Sequence, residues 1–289
     1  MGKSSALLQQ IIGVALFGAV GLFRRWVPLA PGTVAMIRGL IGAAFLLAVR
    51  HRKPDFAAIR RNLVPLLVSG ACMGANWMLF FKSLDYTTVA TATLCYYMAP
   101  VVVMLASPFL LRERLSPVKA VCVLAALGGM VLVSGVLEAG FDLRADGVGV
   151  ALALAAAVLY ACVILSNKKL RDIDPFNSCT VQLSVAGLVM VPYVLLLERN
   201  DWGAVGWTGY GALAVICILI TGVAYVLYFG SMQHLSAQTV AVLGYIDPVV
   251  AVLLSWLFLG EGLGVPGILG AVLILGATLC SELFGNRKK

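Results

Sequence analysis

The chain has 289 residues, 61% of them hydrophobic and 12% charged, with a mean hydropathy of +0.99. A soluble domain carries roughly a quarter charged residues, so this composition leaves too little polar surface for a water-facing globule and sets most of the chain in lipid. The formal charge of +8 falls in short clusters between long apolar runs rather than on one face, which excludes a nucleic-acid-binding patch.

A spanning helix needs about 20 mostly apolar residues. Such segments run at 6–23, 33–49, 63–81, 88–110 and 117–137, and a second set follows at 147–165, 177–197, 205–230, 237–259 and 263–284. The expected fold is therefore an all-α membrane protein of ten transmembrane helices. The connections are short and carry turn chemistry, as at Pro28 to Gly32, Leu115-Ser116-Pro117 and Asp174-Pro175. No small-x-small cleavage site precedes a mature domain, so the first segment is read as a helix and not as a signal peptide. Cys72, Cys95, Cys122, Cys162, Cys179, Cys217 and Cys280 lie within or beside apolar segments, with no C-x-x-C pair. They read as small buried hydrophobes, and no disulfide framework, metal site or cofactor is implied.

Cytoplasmic loops keep positive charge. Placing both termini inside collects Lys3, Arg50, Arg52, Lys53, Arg60, Arg61, Arg112, Arg114, Lys119, Lys168, Lys169, Arg171, Arg287, Lys288 and Lys289 on that side, most of the 21 Lys and Arg. Arg24, Arg25, Lys82, Arg144 and Arg199 fall outside, and Arg38 stays within a span. The expected orientation is N-in and C-in, in a bacterial inner membrane.

Compared with itself at an offset of 148, the chain repeats. Leu79, Phe81, Ser83, Thr91, Tyr97, Pro100, Val101, Val102, Leu105, Ser107, Leu111, Glu113 and Leu115 recur as Leu227, Phe229, Ser231, Thr239, Tyr245, Pro248, Val249, Val250, Leu253, Ser255, Leu259, Glu261 and Leu263. The first helices align at a different offset, Gly13-Val14-Ala15-Leu16 with Gly149-Val150-Ala151-Leu152. Each half, 1–140 and 141–289, holds an odd number of spans, so the second enters the membrane inverted. Inverted repeats are a transporter architecture; duplication serving assembly alone is the alternative.

An ionisable group inside a span costs about 2.5 to 3.5 kcal/mol on insertion scales, so it asks for a partner or a cavity. Two such groups stand out. Asp247, between Ile246 and Pro248, reads as a counter-ion for a cationic group, a proton-exchanging carboxyl, or a cap at a helix break. Arg38 reads as an anion ligand, a partner for an acid, or a residue snorkelling to the interface. Pro100 and Pro248 occupy equivalent places and each removes a bond to the carbonyl four residues earlier, on Tyr96 and Gly244. Such exposed backbone fits a central site, a hinge or a packing kink. Glu113 and Glu261 end equivalent helices and read as caps.

Asn76, Trp77, Phe80, Tyr97, Tyr160, Asn167, Tyr225, Tyr228 and Tyr245 have the depth to line a pocket with stacking and cation-attracting faces, or to serve as packing and belt residues. Trp77 with Tyr225, and Phe80 with Tyr228, are repeat equivalents. Gly70 and Gly74 read as a close helix contact. Enzymatic machinery is not visible. Gly2-Lys3-Ser4 lacks the earlier glycine and the strand of a phosphate-binding loop, and neither His51 nor His234 stands beside a plausible nucleophile.

The whole chain resembles the EamA type of the drug/metabolite transporter superfamily. The resembling stretches are Phe80-Phe81-Lys82-Ser83-Leu84-Asp85-Tyr86-Thr87-Thr88 leading to Pro100 and Glu113, Tyr245-Ile246-Asp247-Pro248 leading to Phe258-Leu259-Gly260-Glu261, and Arg38-Gly39-Leu40. The resemblance implies ten helices, a central cavity, alternating access, and commonly export of amino acids or other metabolites. It assigns no role to Asp247. The expectation is a carrier for a small-molecule substrate, moved by rocking of the halves and driven by a substrate or proton gradient. Uptake, broad drug efflux, and a receptor or scaffold without net flux are the alternatives.

Overall fold

The computed structural model describes residues 2–50, 53–139, 143–260 and 264–284. Among the sequence readings, those on His51, Arg52, Glu261, Leu263, Arg287, Lys288 and Lys289 lie outside the described residues. So do the Arg144 side chain and the expected boundary between the halves at 140 and 141.

Among the described residues the spans are α1 (Lys3–Arg24), α2 (Pro31–Val49), α3 (Leu63–Ser83), α4 (Val89–Leu111), the shorter α5 (Pro117–Val133), α6 (Asp146–Asn167), α7 (Pro175–Leu197), α8 (Trp207–Met232), α9 (Ala237–Phe258) and α10 (Val265–Phe284). Their starts follow from local chemistry. Ser116 caps α5 by accepting from the Lys119 amide, Asp174 caps α7 by accepting from the Phe176 and Asn177 amides, and proline fills the first turn of both. The outer surface is apolar, with Phe109 86% and Leu196 81% exposed. In water such a surface would be costly; in a bilayer it is the solvent-matched face.

α5 stops at 17 residues, shorter than its apolar run, because Ser134 and Gly135 turn the chain (φ of Gly135 +72°) into a short helix at Val136–Ala139. α1 breaks at Ala19, and α8 carries a π-helical stretch at Ile216–Val223; no feature of the hydrophobic pattern signals either.

The repeat is visible in three dimensions. α4 is broken at Tyr97 and Met98, and α9 at Gly244 and Tyr245, one residue earlier in the repeat; Tyr97 and Tyr245 are equivalent. Thr88 and Ser236 are equivalent caps, each accepting from the amide of a threonine, Thr91 or Thr239, at 3.2 Å. α4 and α9 also end on equivalent left-handed residues, Arg112 (φ 56°) and Gly260 (φ 66°). A residue and its two-fold mate touch only near the axis relating them. Tyr97 and Tyr245 stack with centroids 6.0 Å apart, and Trp77 meets Tyr225 at 6.5 Å. The same offset carries Gly39 onto Gly187, and a Cβ on Gly39 would lie 3.1 Å from the Gly187 Cα. For inverted repeats that axis lies in the membrane plane, so these pairs mark mid-depth.

Glycines set the close crossings. A Cβ at Gly70 would come 2.7 Å from Val185 Cβ, and one at Gly74 would come 2.6 Å from the Ala186 carbonyl, so the two glycines let α3 lie against α7. α5 and α10 meet in the same way through Gly129 and Gly270. Buried polar groups then fasten the helices. Asn167 Nδ2 donates to Ser69 Oγ at 2.8 Å and to Gln182 Oε1 at 2.9 Å, Gln182 Nε2 donates to Ser178 Oγ at 2.8 Å, and Ser69 donates to Gln182. Bonds of this kind between spanning helices contribute about 0.6 to 2 kcal/mol each.

Candidate functional site

A cavity of about 290 Å³ opens where the two halves meet. Phe17 of α1, Arg38 of α2, Asn76, Trp77 and Phe80 of α3, Tyr96, Tyr97, Ala99 and Pro100 of α4, Tyr160 of α6, Tyr225 and Tyr228 of α8, and Gly244 and Asp247 of α9 line it. Because Trp77, Tyr225 and Tyr97 also mark the two-fold axis, the cavity sits at mid-membrane.

The walls are aromatic. Tyr96 and Tyr160 stack at 5.6 Å with 20° between planes, Phe17 lies 4.7 Å from Tyr225, and the Tyr160 and Tyr228 hydroxyls share a 2.6 Å hydrogen bond. Such walls offer flat apolar faces with a few fixed polar points.

Two charges enter it, one from each half. Arg38 does not snorkel: its guanidinium lies 4.1 Å from the centroid of the Trp77 ring, and its buried Nε has no hydrogen-bond partner. Leaving a buried donor unpaired costs about 1 to 3 kcal/mol. Asp247 Oδ2 accepts from the Tyr97 hydroxyl at 2.8 Å, a bond between the halves. The ion pairs among the described residues, Lys3–Glu282, Arg61–Asp172 and Lys82–Asp85, involve neither. Asn76 is 1% exposed; its Nδ2 donates to Tyr96 Oη at 3.4 Å, and its buried Oδ1 has no partner.

Three residues singled out in the sequence lie elsewhere. Asn167 is spent in the Ser69–Gln182–Ser178 network between α3, α6 and α7. Tyr245 stands behind Tyr97, donating to the Tyr97 carbonyl at 3.0 Å. Pro248 is outside the lining, although Pro100 is in it. The Gly244 carbonyl, expected to be left exposed by Pro248, accepts from the Asp247 amide at 3.3 Å: the chain tightens by one residue and recovers the lost bond. Phe17 and the Tyr96 ring were not singled out. The equivalent of Tyr96 is Gly244, so the repeat that highlights Trp77 with Tyr225 gives Tyr96 no mate.

At the end of the bundle that carries both termini the two halves are tied by hydrogen bonds. There Glu113 accepts from the Ala237 amide at 3.0 and 3.1 Å, Gln238 Nε2 donates to the Arg114 carbonyl at 3.0 Å, and Lys119 Nζ donates to Ser236 and Thr239 at 3.0 and 2.8 Å. Lys168 Nζ donates to the Met232 carbonyl at 3.0 Å, and burial pushes its ammonium below the ordinary lysine range while Glu113 opposes that shift.

Ten helices in two inverted halves, closing over an aromatic and charged cavity on their common axis, define a membrane transporter of the inverted-repeat class. The chain belongs to the EamA-like transporter family, whose model matches it twice, over residues 4–135 and 147–282. It is similar to the uncharacterized transporter YxxF of Bacillus subtilis, with 28% identity over 94% of this chain and 88% of that one. It is also similar to the threonine/homoserine exporter RhtA of Escherichia coli, with 28% identity over 92% and 87% of the two chains. The aromatic amino acid exporter YddG of Ancylobacter novellus shares 25% identity over 99% of this chain and 100% of its own. A solved structure superposes with a TM-score of 0.84 at 22% identity, covering 99% of both chains, which shows the fold. Family and relatives are transporters, not enzymes, and the chain is a multi-pass membrane protein.

Proposed function

We propose that the chain is a secondary carrier that exports amino acids or related amphipathic solutes by alternating access, with N and C termini inside. The observation that carries this reading is the axis cavity, in which Arg38 and Asp247 face one space lined by aromatic rings. Only a solute with both polar and apolar parts satisfies all of those surfaces. The threonine/homoserine and aromatic amino acid exporters among its relatives support that class.

The proposed substrate-binding residues are Asn76, Trp77, Phe80, Tyr97, Tyr160, Tyr225, Tyr228 and Asp247, with Arg38 and Asp247 as the charged poles and the breaks near Pro100 and Pro248 as hinges. Asn167 and Tyr245 act at one remove, holding helices and Tyr97. Release of the Tyr97–Asp247 bond lets the carboxyl meet a solute or a proton, which couples occupancy to the relation of the two halves.

Counterflow tests this. Purified protein in liposomes preloaded with unlabelled amino acids is expected to accumulate the labelled amino acid saturably. Absence of counterflow for amino acids, amines and nucleobases alike, in protein shown to be folded and inserted, overturns the carrier reading.

A further inference from the structure

Arg38 comes from the first half and Asp247 from the second, and the repeat does not duplicate either. The offset that carries Trp77 onto Tyr225 carries Arg38 onto Ala186, and it carries Ala99 onto Asp247. The frame is two-fold; the charge is not. One half supplies a cation, the other an anion, and the alanines at the mirrored positions leave no second copy of either.

Three residues of the cavity lining carry unmet demands. The Arg38 Nε is a buried donor without an acceptor, in a guanidinium held over the Trp77 ring. Asn76 Oδ1 is a buried acceptor without a donor, in a side chain 1% exposed. Asp247 receives only the neutral Tyr97 hydroxyl among the described hydrogen bonds and takes part in none of the described ion pairs. A planar donor fork matches a carboxylate, and paired acceptors that include an anion match an ammonium.

We infer that the cavity is a zwitterion clamp. Arg38 takes the carboxylate of one α-amino acid, Asp247 with Asn76 Oδ1 takes its ammonium, and the bound solute ties the two halves together through opposite poles. This rests on the carrier reading above and adds to it which end of the solute the charged group of each half holds. An amine lacking the carboxylate, or an acid lacking the ammonium, engages one charged pole and leaves the other buried and unpaired.

The experiment measures equilibrium binding of the twenty L-amino acids to the purified full chain. The best-bound one is then compared with its decarboxylated amine and its deaminated acid, on the native protein and on Arg38→Gln and Asp247→Asn. The amino acid is expected to bind at least about tenfold more tightly than either analogue. Arg38→Gln should weaken the amino acid and the acid but leave the amine unchanged; Asp247→Asn should weaken the amino acid and the amine but leave the acid unchanged. A misfolded variant would lose all three solutes together, and Arg38→Lys, which keeps the charge, should then restore part of the acid binding. Equal binding of the amine or the acid to the native protein, or a loss in either variant that ignores which charge the solute carries, overturns the clamp. Counterflow of an amine or nucleobase with no binding of any amino acid overturns the clamp and leaves the carrier standing. No counterflow at all overturns both.

Discussion

Of the helix pairs that join the two halves, α2 with α7 and α4 with α9 are fastened differently. α2 and α7 meet at the axis through Gly39 and Gly187, and polar bonds hold the region around them at both ends of the bundle. At one end Glu198 accepts from the Gly32 amide, the Thr33 amide and the Thr33 hydroxyl at 2.8, 2.6 and 2.7 Å, and Asn200 accepts from the Ala30 amide at 2.8 Å. At the other, Asn62 exchanges hydrogen bonds with the Arg171 backbone at 2.9 Å each way. α4 and α9 are joined in the middle, at Tyr97 with Asp247 and Tyr245, and at the end with the termini, through Glu113 and Gln238. The consequence shows in burial: every residue of Ala237–Leu243 is buried, while in the equivalent Val89–Tyr96 only Thr91 and Ala92 are. Both half-helices carry the same hydroxyl cap, so the local structure belongs to the repeat and the difference in burial to what packs around each. For the proposed carrier, α2 with α7 is then expected to be the fixed side and α4 with α9 the side that opens.

Four substitutions sharpen or break that contrast. The largest effect is expected at the joint of the moving side: Asp247→Asn should reduce counterflow to the level of empty liposomes, with monodispersity and melting temperature near those of the native protein. Native flux in that variant would remove Asp247 from the mechanism. Gly39→Val should come next, because its Cβ would press on the Gly187 backbone at 3.1 Å; overpacking of this kind costs about 1 to 3 kcal/mol, read as a lower melting temperature. Glu198→Gln weakens three charge-assisted bonds at the fixed side, with an expected loss of about 1.5 to 3 kcal/mol for the best of them. Amide exchange in Ala237–Leu243 should stay as it was. Glu113→Gln should be smallest in stability, about 1 kcal/mol, yet it should speed amide exchange in Ala237–Leu243 about fivefold. If Glu113→Gln and Glu198→Gln changed melting and exchange in the same proportions, the two sides would be mechanically alike and the contrast would fall.

Much of this architecture was legible in the sequence because apolar length and turn chemistry decide where helices start and stop in lipid. The segment read at 177–197 is Pro175–Leu197, and the one at 88–110 is Val89–Leu111. The repeat singled out Trp77 with Tyr225 and Phe80 with Tyr228, and all four line the cavity. Polarity at depth was a poorer guide. It marked Asp247 and Asn167 alike, but Asn167 finds Ser69 and Gln182 on neighbouring helices, a pairing that depends on helix rotation and not on its own segment. Arg38 was ambiguous for the same reason: whether a long cation snorkels or turns inward depends on Trp77, supplied by another helix. The π-helical stretch in α8 changes register without changing composition, so no count of apolar residues finds it.

The early end of α5 has a bearing on where the protein works best. At 1.5 Å per residue its 17 residues reach about 25 Å, less than the roughly 30 Å of a typical hydrocarbon core. α5 cannot adjust alone, because Gly129 locks it against Gly270 of α10, and the pair turns Val121, Leu124, Val272 and Leu279 outward. That edge of the molecule therefore favours a thin bilayer, and the choice of acyl-chain length in reconstitution becomes an experimental variable in its own right.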